Sequence, residues 1–489
     1  MDLAALAADA MRERGLALDF PPEAVRQAEA LTDPVRGAGG GVRDMTAAAW
    51  CSIDNDDTRD FDQLTLSEDL GPAGTRVLVA VADVDAAVAR DTPMDAHARL
   101  NTTSVYTAAR TFPMLPERLC TDLTSLVEGE DRLTVVAAFD VDAEGRIGAT
   151  DLFEARVRNH ARLVYETVAA WLEGTGPAPP EVAASRELAD QVRRQDEVAR
   201  RLRARRHERG ALPLETIEAR AVMRDGRVVE LRPQEKDRAR QLIEDFMIAA
   251  NEATARFLQD RGVPSLRRVV RSPERWDRLE ALAAGKGVTL PAEPDAAALA
   301  EFLRRMRAAD PLRFPDLSLA VVKLLGAGEY VVHEPGTEGA GHFGLAVRDY
   351  THSTAPNRRY PDLVTQRLVK ALLAGAPPPY ARAELEELAR HCTRQEDAAN
   401  RVERQVKKAA SALLLSDHIG ESFDALVTGA SAKATWVRTL RPPVDGRVVA
   451  GEQGLDVGDA VRVRLVRADP ARGEIDFARD DRPSQKEAT

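Results

Sequence analysis

Asp54-Asn55-Asp56-Asp57-Thr58-Arg59-Asp60-Phe61-Asp62 is the stretch on which the reading of this chain turns. Five aspartates fall within nine residues, and an apolar Phe61 separates the last two. The flanking segments are apolar and read as strands, so the run is not an exposed acidic linker. Carboxylates crowded near a core repel one another unless a cation neutralises them. Hard oxygen donors suit magnesium or manganese. A calcium loop of the EF-hand type beginning at Asp54 needs glycine at its sixth position and glutamate at its twelfth; Arg59 and Thr65 stand there. The spacing of Asp54, Asp60 and Asp62 instead suits carboxylates converging on one or two metal ions. Such sites position a phosphodiester, activate a water and stabilise a leaving oxygen.

A second segment answers the first: Tyr350-Thr351-His352-Ser353-Thr354-Ala355-Pro356-Asn357-Arg358-Arg359-Tyr360-Pro361-Asp362-Leu363. Two adjacent arginines between prolines sit on a restricted backbone, and Arg358 can clamp a phosphate beside the metals. The bland reading of Arg358 is a surface ion pair. His342, four residues after Glu338, is read as structural.

The composition sets limits. A chain of 489 residues has room for two to four domains. Its 44% hydrophobic and 30% charged content fits a water-soluble globular protein. No apolar run is long enough for a transmembrane helix, and the N-terminus lacks the pattern of a secretory signal, so no membrane association is expected. Cys51, Cys120 and Cys392 are scattered, without zinc spacing, and suit a reducing cytoplasm. A net charge of −11 argues against indiscriminate nucleic-acid affinity and leaves room for local basic surfaces.

Three regions follow: 1–43, 44–420 and 421–489. The first reads as two short helices, Leu3–Arg14 and Glu23–Leu31, broken at Pro21-Pro22 and followed by the glycine-rich link Gly37–Gly41. A helical cap is the plain reading and a helix-turn-helix-like module its rival. The second reads as a large mixed α/β (α+β) domain. Its buried strands are 78–82 and 133–139. Its helices are Glu187–Arg209, Arg240–Arg261, much of 273–315, and Arg382–Ile419. The arginines of Glu187–Arg209 are read mostly as a solvated face. Leu242, Ile243, Phe246, Met247 and Ala250 share one face of the next helix. The third region alternates apolar and basic residues in Val461–Leu465, turns at 469–473, and has about five short strands, the count of an OB-fold barrel.

In these motifs the chain resembles the ribonuclease II/ribonuclease R (RNB) family of exoribonucleases. Ser52-Ile53-Asp54 through Asp62-Gln63 resembles the family's S-I-D-x-x-x-T-x-D-x-D-D pattern. Tyr350–Leu363 resembles Y-T-H-x-T-S-P-I-R-R-Y-P-D-L. Collinear matches lie at Phe112–Leu119, Glu130–Leu133, Arg209–Leu212 and Leu242–Met247, the last leading to Asn251. The resemblance implies processive hydrolysis of single-stranded RNA from its 3′ end to 5′-nucleoside monophosphates by a monomer with magnesium, or manganese. It implies Asp54, Asp60, Asp62 and Arg358 as catalytic residues, and Asp54, Asp60, Asp62 and Gln63 around the metal. It implies RNA contacts by Tyr106, Glu338, Arg358, Arg359 and Glu403. Tyr106 would stack on terminal bases, and the glutamates would accept hydrogen bonds from ribose hydroxyls.

Three departures stand out. The family's fourth aspartate is Gln63 here, whose amide oxygen ligates without adding charge. Ala355 and Asn357 replace Ser and Ile beside the arginines. The short N-terminal region has no room for the cold-shock-type barrels that usually precede the catalytic domain. Gln63 keeps a rival reading open, a non-catalytic RNA-binding protein on an exonuclease scaffold; a DNA exonuclease is a third.

Overall fold

The computed structural model describes residues 2–32, 41–215, 218–224, 227–234, 236–311, 313–431, 434–455 and 457–480. Gly37–Gly40 of the glycine-rich link fall outside them. The chain begins with α1 (Leu3–Glu13) and α2 (Pro22–Ala30). It continues through β1 (Arg43–Asp44), β2 (Cys51–Asp54), β3 (Gln63–Asp69), β4 (Thr75–Ala82), α3 (Pro93–Asn101), β5 (Val105–Tyr106) and β6 (Thr111–Phe112). Next come β7 (Asp131–Val141), β8 (Ile147–Arg158), β9 (Ala161–Val164), α4 (Tyr165–Leu172), α5 (Pro180–Ala184) and α6 (Arg186–Glu208). Then follow β10 (Glu218–Arg224), β11 (Arg227–Gln234), α7 (Arg238–Asp260), β12 (Ser265–Val269), α8 (Trp276–Ala284), α9 (Ala296–Ala309), α10 (Phe314–Leu325) and β13 (Glu329–His333). The last elements are α11 (Tyr360–Leu373), α12 (Arg382–Leu415), β14 (Ser422–Ser431), β15 (Ala434–Thr439), β16 (Asp445–Ala450), β17 (Ala460–Asp469) and β18 (Glu474–Arg479).

The central sheet runs β1-β8-β7-β4-β3-β2-β9. β4 lies inside it, antiparallel to both β3 and β7. Its sequence Thr-Arg-Val-Leu-Val-Ala-Val-Ala is buried almost throughout, because helices cover the sheet where a half-exposed strand would alternate. On one face of β3, Thr65 Oγ1 donates to Gln195 Oε1 at 2.9 Å, and the Ser67 amide donates to Gln191 Oε1, fixing α6 on the sheet.

Two expectations change. α7 is buried all round rather than on one face, with Asp245, Asn251, Glu252 and Thr254 enclosed beside its apolar residues. A helix wedged between a sheet and other helices has no solvated side. The arginines of α6 are also not simply solvated. Arg203 and Arg206 both reach the buried Asp245 carboxylate, and Arg201 donates to the Asp142 carbonyl. A buried carboxylate needs such partners to stay ionised.

α1 packs into the body of the fold. Ala7, Ala10 and Met11 are fully buried against Val105 and Phe112 of the β5–β6 hairpin and against Ala399, Val402 and Val406 of α12. Asn101 pairs with both backbone groups of Ala17, at 2.8 and 2.9 Å. Helices α8, α9 and α10 enclose a second apolar cluster around Trp276, Leu299, Phe302 and Phe314.

β14-β15-β16-β18-β17 close a five-stranded barrel. Val463 and Leu465 point into it while Arg464 points out, as the alternation requires. At Gly446 a side chain would strike the Phe477 ring, its Cβ 2.4 Å away, so the closure of the barrel depends on glycine there. The barrel sits on the end of α12 through Ala412 and Leu415. It is tied to α10 by a buried ion pair in which Arg438 Nη1 lies 2.8 Å from Asp316 Oδ1.

Candidate active site

The acidic run is the loop between β2 and β3. Asp54 ends β2 and Gln63 opens β3. Phe61 is buried and plugs the loop into the core. Its amide donates to Ser125 Oγ at 3.0 Å, and that hydroxyl donates to the Arg59 carbonyl at 2.9 Å. The Asp62 carbonyl accepts from the Ala82 amide, continuing the β3–β4 ladder. Arg240 holds Asn55 at 3.0 Å, and Arg162 reaches the Asp56 carbonyl. Sequence reasoning missed Ser125, Arg162 and Arg240, because each acts on the loop from a distant element and none belongs to a recognisable pattern.

The loop separates its aspartates. Asp56 and Asp57 are exposed, whereas Asp54 and Asp62 are buried beside each other. Asp54 Oδ2 and Asp62 Oδ1 are buried with no hydrogen-bond partner. Burial, and then the charge of Asp62, raise Asp54 to about 7. Burial raises Asp62 to about 6, with Arg358 opposing the rise. Asp60 is turned to Tyr106, whose hydroxyl donates to Asp60 Oδ2 at 3.1 Å.

The second segment packs against the loop. Arg358 Nε donates to Asp62 Oδ2 at 2.9 Å, while its side chain stays 46% exposed. Its carbonyl accepts from the Ser104 amide at 3.0 Å, which ties the turn to the strand carrying Tyr106. Arg359, next in sequence, points elsewhere and pairs at 2.8 Å with the fully buried Asp362. Asn357 is buried; its Oδ1 accepts from Thr124 Oγ1 at 2.6 Å, and its side chain favours the ionised form of Asp62. One of the departures from the family pattern thus faces the site.

Tyr106 is 42% exposed at the tip of β5. Its amide donates to Glu403 Oε1 on α12 at 2.8 Å. Glu403, from almost the far end of the chain, therefore joins Asp54, Asp60, Asp62, Tyr106 and Arg358 in one constellation. Glu338 lies on an exposed loop after β13 and makes no ion pair among the described residues. Gln63, half-buried, pairs with Val81 across the β3–β4 ladder.

Among the described residues, no three His, Cys, Asp or Glu side chains close into a ready metal cage. The two orphaned carboxylate oxygens of Asp54 and Asp62 nevertheless fit a divalent cation. Magnesium commonly takes one or two carboxylates and fills its remaining positions with water and substrate phosphate.

Comparison with known proteins bears on this constellation. The family model for the RNB domain matches residues 42–375, and that for the RNase II-type exonuclease C-terminal S1 domain matches residues 421–480. The chain belongs to the RNB family. Among RNB relatives it is 32% identical to ribonuclease R of Thermotoga maritima, over 94% of this chain and 68% of the relative. It is 30% identical to ribonuclease R of Escherichia coli, over 96% of this chain and 61% of the relative. It therefore spans about two thirds of the length of such proteins. Among solved structures, Mycoplasma genitalium RNase R in complex with ribose-methylated single-stranded RNA superposes with a TM-score of 0.88. That pair shares 22% identity, over 98% of this chain and 78% of the other. The fold is that of RNB proteins, including the C-terminal barrel.

Proposed function

We propose that the chain is a divalent-metal-dependent 3′-to-5′ exoribonuclease that processively hydrolyses single-stranded RNA to 5′-nucleoside monophosphates. The carrying observation is the pair of unpartnered buried oxygens, Asp54 Oδ2 and Asp62 Oδ1, beside the half-open Arg358 guanidinium. Two buried carboxylate oxygens without partners are costly unless a cation joins them. When bound, magnesium or manganese supplies that charge and polarises the scissile phosphodiester. Asp54 and Asp62 would hold it, with Asp60 and Gln63 completing the surroundings. Arg358 binds the phosphate and holds Asp62 in place. Tyr106 offers its exposed ring to a terminal base, and its hydroxyl orients Asp60. Glu403 spends one oxygen on the Tyr106 amide and keeps the other for a ribose hydroxyl, a contact that favours RNA over DNA. The family resemblance adds Glu338 and Arg359 as RNA contacts, Arg359 only by leaving its pair with Asp362.

In this reading residues 1–43 are a cap, 44–420 the catalytic domain, and 421–489 the RNA-binding barrel, in a monomer of the cytoplasm. Three buried, unpaired cysteines are compatible with a reducing compartment, and no described helix is long and apolar enough to cross a membrane.

The test is incubation with single-stranded poly(A) and magnesium or manganese. Release of AMP that disappears in Asp62→Asn is the expected result. Tight RNA binding without any nucleotide release would establish the non-catalytic alternative instead.

A further inference from the structure

We propose that the exposed face of α12 is a cationic rail that holds the phosphate backbone of the RNA between the barrel and the site. The proposal rests on the RNA-degrading reading above only for the identity of the polyanion.

The first observation is one of pairing. Arg390, Arg394, Arg401, Arg404, Lys407 and Lys408 are all exposed, and among the described residues none is in an ion pair. α6 differs: it holds eight arginines, and six of them are in ion pairs. There Arg186, Arg193, Arg201, Arg203, Arg205 and Arg206 each have a carboxylate partner. Most acids of α12 have partners of their own: Glu384 with Arg90, Glu386 with Arg382, Glu387 with Arg99, and Glu396 with Arg268. Glu403 is turned to the Tyr106 amide, which leaves Asp397 as an exposed acid on the same side. A solvated face is the ordinary reading of surface cations. In a chain of net charge −11, however, acidic partners are plentiful. Unneutralised cations gathered on one helix are the footprint of an external polyanion.

The second observation is position. Residues 394, 401, 404 and 408 recur at three, four and seven, the spacing of a single helical stripe. At a rise of 1.5 Å per residue, 394 to 408 spans roughly 21 Å. One edge of the cationic face borders the site, because Lys407 stands one turn beyond Glu403, at the i,i+4 spacing of neighbours on a helix surface. The other end meets the barrel. The β17–β18 turn approaches so closely that a Cβ on Gly473 would stand 2.9 Å from the Cβ of Lys408. The stripe therefore bridges the distance between the barrel and the stacking tyrosine, where a strand several nucleotides longer than the site must lie.

The test compares Arg401→Gln/Arg404→Gln/Lys407→Gln/Lys408→Gln with a control that removes four exposed, ion-paired cations, Arg186, Arg193, Arg304 and Arg305, also to Gln. Both lose the same net charge. Binding of long poly(A) is measured across a salt series, along with turnover of an oligonucleotide of about four nucleotides, which the site alone accommodates. Each phosphate contact contributes about 0.7 to the slope of log affinity against log salt for a single strand, so the rail variant should lose up to about 2.8 in slope and at least about tenfold in affinity at low salt. The control should match the wild type, and turnover of the short oligonucleotide should be unchanged in both. Equal slopes in wild type and rail variant, or equal losses in rail and control variants, overturn the proposal. As a second variant, Lys407→Glu/Lys408→Glu should weaken long-RNA binding further, and unchanged binding there overturns the proposal as well. RNA binding by the wild type without nucleotide release would sink the exonuclease reading and leave the rail standing. Degradation with an unaltered salt slope would do the reverse.

Discussion

Arg358 Nε donates to Asp62 Oδ2 at 2.9 Å across 296 residues of sequence. The contact joins the acidic loop to the arginine turn, and it sets the charge state of the more deeply buried of the two site carboxylates. Arg358 opposes the rise that burial imposes on Asp62. Removing the guanidinium therefore does two things: it deletes the proposed phosphate ligand, and it makes Asp62 harder to ionise. Arg358→Ala should lower the hydrolytic rate by about 10²–10³-fold, the scale found for loss of one charge-stabilising donor. It should also move the acidic limb of the pH–rate profile upward. A variant with a slower rate but an unmoved acidic limb would show that Arg358 acts on the substrate alone.

Metal binding should depend on pH in a defined window. In the metal-free fold Asp54 and Asp62 hold protons up to about 7 and about 6, whereas in the unfolded chain they release them near the ordinary carboxylate value. The native state then binds more protons across this range, so these two groups reduce stability as pH rises through it, with no penalty below the unfolded value. A cation requires the ionised forms, so apparent magnesium or manganese affinity should climb between roughly pH 6 and 7 and level off above. Calorimetric titration at pH 6, 7 and 8 checks this. Asp54→Asn should stabilise the metal-free protein at pH 8, on the order of 1–3 kcal/mol. Metal affinity that is flat with pH contradicts both expectations.

Gln63 brings an amide oxygen to a position where the family pattern has a carboxylate. An amide offers a weaker, uncharged ligand. Gln63→Asp should lower the magnesium concentration that gives half-maximal AMP release, and should narrow any advantage of manganese. An unchanged metal dependence would remove Gln63 from the metal's surroundings.

The barrel's attachment rests partly on Arg438 and Asp316, buried between β15 and α10. Arg438→Met alone leaves a buried carboxylate unpaired, a loss of about 3–5 kcal/mol in comparable cases. Adding Asp316→Leu should recover most of it, because replacing both charges with apolar groups removes the penalty. Urea unfolding followed by protease cleavage between α12 and the barrel reads the outcome. If the double variant is no better than the single one, the pair itself rather than the orphaned charge stabilises the junction.

Met11 of α1 is fully buried in the cluster shared by the Tyr106 hairpin and α12. Met11→Ala should cost about 2–4 kcal/mol locally. The expected signature is faster amide exchange at Val105 and Phe112 and a higher KM for RNA, with exchange in the barrel unaffected. Exchange that changes only within α1 would mean that the cap does not brace the hairpin.

The sequence alone carried the motifs and most of the elements. The long helices expected at Glu187–Arg209 and Arg382–Ile419 correspond to α6 and α12, and the five short strands of the tail to the closed barrel. Periodicity and β-branched runs are local properties, readable without a fold. The acidic loop and the arginine turn were legible because each is a contiguous pattern. What the tertiary structure decided was how these patterns divide. It buried Asp54 and Asp62 together, turned Asp60 to Tyr106, exposed Asp56 and Asp57, and separated Arg358 from its neighbour Arg359. It also brought Glu403 to the Tyr106 amide and enclosed α7 on every side. Burial and orientation depend on what packs against a residue from elsewhere in the chain. Those contacts set both the carboxylates' ionisation and the arginine's reach, and so decide which of several plausible residues stand at the site.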